Sequence, residues 1–246
     1  MHLTIITGAS RGLGLAMTSQ LLSEGHRLLA LSRGRVTVPV PAGSELLQWS
    51  VDLFDAAQVA QRLEQWLSAQ GATAPSSVTL INNAGVVSEL APLEKIAADD
   101  LQRALRVGLE APMLLTAAFL RATADWALPR KVLLVSSGLG RRAMAGSASY
   151  CAAKAGMDHL ARTLALEQGA LVHGARVVSL APGVIDTDMQ VQLRAADPLL
   201  FPEREKFVGL KTGGQLDSPA QAAQKVLRYL ARADFGDQPV ADVRDA

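Results

Sequence analysis

Tyr150 and Lys154 stand four residues apart in the stretch SYCAAK (149–154), and the tyrosine is one of only two in the chain. On a helix, positions i and i+4 lie one above the other on the same face. A phenol titrating near 10 is a poor acid–base group at neutral pH. An ammonium held within about 4–6 Å favours the phenolate and lowers that value by about 1–3 units. A Tyr–Lys pair on one turn is therefore the make-up of a tunable general acid. An exposed surface pair has the same spacing, so these residues need support from the rest of the chain.

A second group with chemical potential is TGASRGLG (7–14), which follows one apolar run and opens a helical pattern. Its glycines, Gly8, Gly12 and Gly14, let the backbone turn sharply and approach a pyrophosphate. The N–H groups of Ser10, Arg11, Leu13 and their neighbours at a helix N-terminus would face its charge. The spacing is G-x-x-x-G-x-G rather than G-x-G-x-x-G, and a purely structural turn is the competing reading. Gly8, Ser10 and Gly12 also spell G-x-S-x-G, the pattern of a hydrolase nucleophile elbow. That chemistry wants a histidine last in chain order. The four histidines, at 2, 26, 159 and 173, all precede the last strand-like runs.

The end of the second apolar run discriminates between dinucleotides. A free ribose 2′-OH calls for Asp or Glu there, a 2′-phosphate for arginine. The sequence reads LALSRGR, with Ser32 and Arg33 where an acid would stand, and Arg11 could add a second positive charge. The pattern favours NADP(H) over NAD(H).

Positioning these groups requires a scaffold, and the chain has the material for one. It has 246 residues, 49% hydrophobic and 19% charged, so a well-buried core is available. A net charge of +1 with interspersed signs argues against a nucleic-acid or anionic-membrane footprint. One cysteine, Cys151, excludes an internal disulfide and any CxxC site, and the histidines have no ligand spacing, so no metal is expected. The first residues lack a signal-peptide pattern and no run of about 18 apolar residues exists, so a cytoplasmic setting is expected. Strand-like runs fall at 3–7, 27–32, 46–51, 78–82, 131–136, 175–181 and 239–243. Helical patterns lie at about 12–25, 55–69, 93–126, 147–168 and 218–233, the third breaking near Gly108 or Pro112. This alternation predicts one α/β domain over 1–246, a doubly wound parallel sheet of about seven strands with helices on both faces. Stretches 33–45 and 184–216 read as irregular, the second long enough to be a lid over a site.

Taken in order, TGASRGLG, NNAG (82–85), Ser137 thirteen residues before Tyr150, YCAAK (150–154) and APGVIDTDM (181–189) resemble the short-chain dehydrogenase/reductase superfamily over essentially the whole chain. The resemblance implies a Rossmann fold and a nicotinamide cofactor. By it, Ser137 would hydrogen-bond a substrate carbonyl and Tyr150 would give the proton. Lys154 would lower the tyrosine pKa and bind the nicotinamide ribose. It also places Asp52 and Leu53 near the adenine, and Asn83, Ala84 and Gly85 along the adenosine. Pro182, Gly183, Ile185, Thr187 and Met189 would line the nicotinamide end, Gly183 also touching substrate. Two donors, Ser137 and Tyr150, suit a hydride transfer that builds negative charge on oxygen. One position departs: where the family usually has an asparagine, the stretch LRVGLEAP (105–112) has Gly108. An NADP(H)-binding protein of low activity, with a regulatory or interaction role, is the alternative this substitution raises.

Closer still, YCAAKAGMD, LALE, APGVIDTDMQ and the tail VADVRD resemble the sepiapterin reductase and benzil reductase branch. That likeness implies a ketone or vicinal dicarbonyl as substrate. It makes Asp242 the counterpart of a carboxylate that anchors an amino-bearing pterin, a role paired hydrogen bonds would suit. A solvated acid near the end of the chain is the plainer reading. The helices at about 100–120 and 147–168 resemble the family's four-helix interface, so a homodimer or homotetramer is expected.

Overall fold

The computed structural model describes residues 1–70 and 75–245. Its centre is a seven-stranded parallel sheet: β1 (His2–Thr7), β2 (Arg27–Ser32), β3 (Glu45–Ser50), β4 (Ser77–Asn82), β5 (Arg130–Val135), β6 (Arg176–Ala181) and β7 (Val240–Asp242). The spatial order is β3-β2-β1-β4-β5-β6-β7, so the direction of winding reverses between β1 and β4. Ligands of such sheets sit beyond the strands' carboxyl ends, beside that reversal.

Successive side chains point to opposite faces of the sheet, yet the five inner strands are buried almost throughout because both faces are covered, whereas edge strand β3 is partly exposed. Leu3, Ile5, Leu80, Val132 and Leu134 point to a layer formed by α2 (Ala56–Ser68), α4 (Ala111–Ala122) and α5 (Ala148–Gly169). Ile6, Ile81, Leu133, Val135 and Leu180 point to the opposite layer, α1 (Gly12–Ser23) and α8 (Pro219–Ala231). Trp49 and Trp66 meet edge to face against the first layer. At the amino ends of the strands, buried Arg130 donates to the carbonyls of Thr123 and His173, and Lys131 Nζ donates to that of Leu230. Their charges face the carbonyl ends of helices at the pole away from the glycine turn.

Two expected stretches differ in detail. The pattern at 93–126 divides into a 3-10 turn at Leu93–Lys95, α3 (Ala98–Leu105), a π turn at Arg106–Glu110, and α4. Pro112 has no N–H to give to the Gly108 carbonyl, so the helix widens there instead of ending. The stretch 184–216 is not irregular. It carries α6 (Asp188–Ala195) and α7 (Arg204–Thr212). Their apolar residues are spaced widely among charged ones, a weak signal by periodicity, and they are held by packing: Leu193, Phe201 and Phe207 form a third buried cluster with Leu90 and Met144.

Candidate active site

The glycine turn joins β1 to α1 at the reversal of the sheet. Gly8 and Gly12 have φ of +66° and +53°, which side chains rarely adopt. A Cβ on Gly14 would lie 2.1 Å from the Gly8 carbonyl oxygen, so only glycine lets the helix start this close to the strand. Arg11, the N-cap, makes no side-chain cap and the first turn of α1 holds no acid, so no side chain of the cap or first turn satisfies or neutralises the leading N–H groups. A Cβ on Gly12 would come within 3.4 Å of the Thr187 methyl, filling the gap between the turn and the segment after β6. This cradle fits a pyrophosphate.

The other predicted cofactor residues gather at the same ends of the strands. Thr7 Oγ1 accepts from Asn83 N and Ala84 N at 2.9 and 3.0 Å, and Asn83 Nδ2 donates to the Thr7 carbonyl. Asn83 thus ties the end of β4 to the glycine turn. Gly85 comes up beside the lysine: a Cβ there would be 3.8 Å from Lys154 Nζ. Asp52 is exposed after β3 and caps the next turn by accepting from Phe54 N at 3.0 Å, while Leu53 is buried. Pro182 is buried and Gly183 has φ +83°. Ile185 bridges to Asp217, Thr187 is the N-cap of α6, and Met189 packs on the third cluster.

Arg33 lies in a concavity of ≈ 400 Å³ lined also by Ser32, Gly34, Arg35 and Trp49. Gly34 abuts Ser10 of the glycine turn. Arg35, which sequence reasoning passed over although it stands in the same SRGR stretch, joins Arg33 there; both are exposed. Arg11 has another partner, pairing with Asp188 on α6 at 3.3 Å.

Ser137, Tyr150 and Lys154 meet where β5 ends against α5. Ser137 opens a 3-10 turn (Gly138–Gly140), its Oγ accepting from Leu139 N. Lys154 is 4% exposed, donates to the Val135 carbonyl at 2.7 Å, and lies 5.6 Å from the Tyr150 ring centroid. Burial pushes Lys154 down to about 8, against the pull of Asp158. The expected lowering of the tyrosine is not found: burial pushes the phenol up to about 12, and the hydrogen bond with Ser137 only partly opposes it. Desolvation is the largest influence on both groups and disfavours the charged form of each. A phenol at that value keeps its proton through the neutral range, so it is loaded as a donor.

Beside this triplet lies an apolar cluster. Cys151 and Leu139 pack with Val87, Met144, Met189 and Phe201 of the third cluster. At the far side Asp242 is 5% exposed, and its carboxylate receives Arg244 Nε and Nη2 at 2.8 and 2.6 Å. Arg244 holds its carboxyl below the usual range. The sequence signal for that pair was two residues away in VADVRD. No group of three or more potential metal ligands occurs among the described residues, and no helix there is long and apolar enough to cross a membrane.

Residues 2–198 match the family model described as short chain dehydrogenase. The chain is similar to a protein named benzil reductase ((S)-benzoin forming) of Bacillus subtilis (strain 168), 36% identical over 94% of each chain. It is similar to the sepiapterin reductase of Meriones unguiculatus, 30% identical over 98% of this chain and 95% of that one. Among solved structures, a short-chain dehydrogenase/reductase from Burkholderia vietnamiensis is 33% identical with a TM-score of 0.66, covering 100% of this chain and 99% of that one.

Proposed function

This chain belongs to the short-chain dehydrogenase family, and from that premise we propose that it is an NADPH-dependent reductase of ketones, acting on vicinal dicarbonyls with apolar, benzil-like flanks. The observation that carries the reading is Ser137, Tyr150 and Lys154 converging at the strand ends beside the glycine turn.

The residues present fit a dinucleotide. Gly8, Ser10, Gly12, Leu13 and Gly14 would hold the pyrophosphate, Asp52 and Leu53 the adenine, and Asn83 to Gly85 the adenosine side. Arg33 and Arg35 would meet a 2′-phosphate, with Arg11 nearby. Lys154 would hold the nicotinamide ribose, and Pro182, Gly183, Ile185, Thr187 and Met189 its outer end. When bound, the reduced nicotinamide supplies a hydride to the carbonyl carbon. Ser137 and Tyr150 donate hydrogen bonds to the carbonyl oxygen, and Tyr150 passes its proton to that oxygen as charge builds there. Lys154, charged at neutral pH, favours the phenolate left behind.

An apolar substrate is favoured over a pterin for two reasons. The partly exposed side chains near Tyr150, namely Leu139, Cys151, Val87 and Met189, are apolar and rest on buried Met144 and Phe201. Asp242, the expected pterin anchor, already spends both oxygens on Arg244. The low-activity alternative rested on Gly108, and the helix keeps its local widening there without an asparagine. The reading includes a cytoplasmic setting, in which the half-buried, free Cys151 would stay reduced.

The test is NADPH consumption by purified protein with benzil, sepiapterin and simple ketones. Benzil should be reduced, and Tyr150→Phe should lower the rate by about 10²–10⁴ while NADPH still binds. Absence of turnover with every dicarbonyl would overturn the reading.

A further inference from the structure

Asp158 lies one helical turn beyond Lys154 on α5 and is 1% exposed, yet the chemistry above gives it nothing to do. Two hydroxyls from neighbouring strands converge on one of its oxygens. Ser136 Oγ, next to Ser137 at the end of β5, and Ser179 Oγ of β6 each donate to Oδ1 at 2.7 Å. The other oxygen accepts no hydrogen bond among the described residues and faces Arg141 Nε at 3.5 Å. The Ser137 turn presses its backbone onto that oxygen: a Cβ on Gly140 would be 2.7 Å from Oδ2 and 2.9 Å from the Lys154 carbonyl oxygen.

Two hydroxyl donors would serve an amide oxygen as well as a carboxylate, so these bonds alone do not call for a charge. Burying a carboxylate is costly unless charge compensates it. Its compensation comes from Arg141 on the turn after Ser137 and from Lys154 four residues back. We propose that Asp158 is a positioning residue for the Tyr150–Lys154 pair: its carboxylate fastens the Ser137 turn to α5 and holds the lysine head group as an ammonium. The inference rests on the reductase reading and deepens it.

The charged and titratable groups around Lys154 are few. Tyr150, Cys151 and Asp158 share its helix, and Arg141 comes from the β5 turn. Asp242 of β7 is paired with Arg244. On the α3 and π-turn side, Arg103 and Arg106 lie over Phe54, Arg106 also pairs with Glu110, and Asp100 accepts from Glu89 N. Asp158 is the carboxylate that opposes the effect of burial on the lysine. Without its charge the ammonium would be lost at lower pH, so the alkaline limb of activity should move down.

The experiment measures kcat/KM for benzil with NADPH, and the NADPH Kd by fluorescence, from pH 6 to 10. Wild type is compared with Asp158→Asn, Ser179→Ala and Arg141→Gln, each first checked for folding by thermal melting. In Asp158→Asn the alkaline midpoint should fall by about one pH unit in both readouts. Ser179→Ala, which keeps the charge, should retain the wild-type midpoint. Arg141→Gln removes a cation from beside the carboxylate and should move the midpoint up. A midpoint that stays put in Asp158→Asn, with activity lower at every pH, would mean packing alone and overturn the proposal. Should Asp158→Asn not fold, Arg141→Gln decides, and an unmoved midpoint there overturns it. A wild type that reduces no dicarbonyl refutes the reductase reading, whereas the pH dependence of NADPH affinity still tests Asp158.

Discussion

At Arg33 and Arg35 two exposed guanidinium groups flank Gly34, and neither has a carboxylate partner among the described residues. Each charge-assisted hydrogen bond to a phosphate is worth about 1.5–3 kcal/mol. Replacing both by alanine should weaken NADPH binding by roughly 10²-fold or more and leave NADH nearly unaffected. Equal losses for both cofactors would show that these arginines do not read the 2′-phosphate. The Tyr150–Lys154 pair has its own signature in stability. Lys154 titrates at about 8 instead of 10.5, so between those values the unfolded chain holds a proton that the native one has released. Stability therefore rises with pH across that window. Tyr150 acts in the opposite sense from 10.0 to about 12, where the native chain keeps a proton that the unfolded one loses. Unfolding by urea at pH 8 and pH 10 should show wild type gaining on Lys154→Met. A pH-independent difference would contradict the assignment.

Among the elements that frame the site, the start of α1 and the π turn before α4 leave no room for added side-chain bulk. Gly14→Ala would drive a methyl into the Gly8 carbonyl oxygen and the Asn83 amide, which lie at 2.1 and 2.6 Å from the new Cβ. Overpacking of this kind costs about 1–3 kcal/mol, read as a lower Tm together with weaker NADPH binding. At the π turn, helix α5 approaches on small residues: a Cβ on Gly108 would sit 3.1 Å from Ala153 Cβ, and one on Gly156 2.9 Å from the Leu109 side chain. Gly108→Asn, which restores the residue expected from the family, should therefore lower Tm and turnover here. Adding Ala153→Gly should recover part of the Tm. Failure of that second change to help would show that the crowding lies elsewhere.

On the scale of the whole molecule, the sheet sorts the chain into two poles. The glycine turn, the arginines and the Tyr–Lys pair share the carboxyl ends of the strands, whereas Arg130 and Lys131 serve helix carbonyls at the other end. We propose assembly into a homodimer or homotetramer through the α3–α4 segment and α5, where Leu105, Met113 and Leu166 are exposed. Exposed leucine and methionine on helices gain most by burial against a second copy. Light scattering at micromolar concentration should give the mass of two or four chains, and a monomer would refute this.

What the amino-acid sequence determined by itself was whatever depends on neighbours along the chain. Short, nearly continuous apolar runs set between helical patterns point to a parallel sheet covered on both faces. Glycines 8, 12 and 14 dictate a turn that can approach an anion, and the spacing of Tyr150 and Lys154 dictates a shared helix face. The tertiary structure alone decided what those groups meet. Arg11 reaches Asp188 across 177 positions of chain, and Asp158 gathers hydroxyls from Ser136, just past β5, and from Ser179 of β6. The helices within 184–216 exist through the cluster of Leu90, Met144 and Phe201. The tyrosine's pKa rises instead of falling because desolvation is a property of everything packed around a group, and no spacing along a helix encodes it.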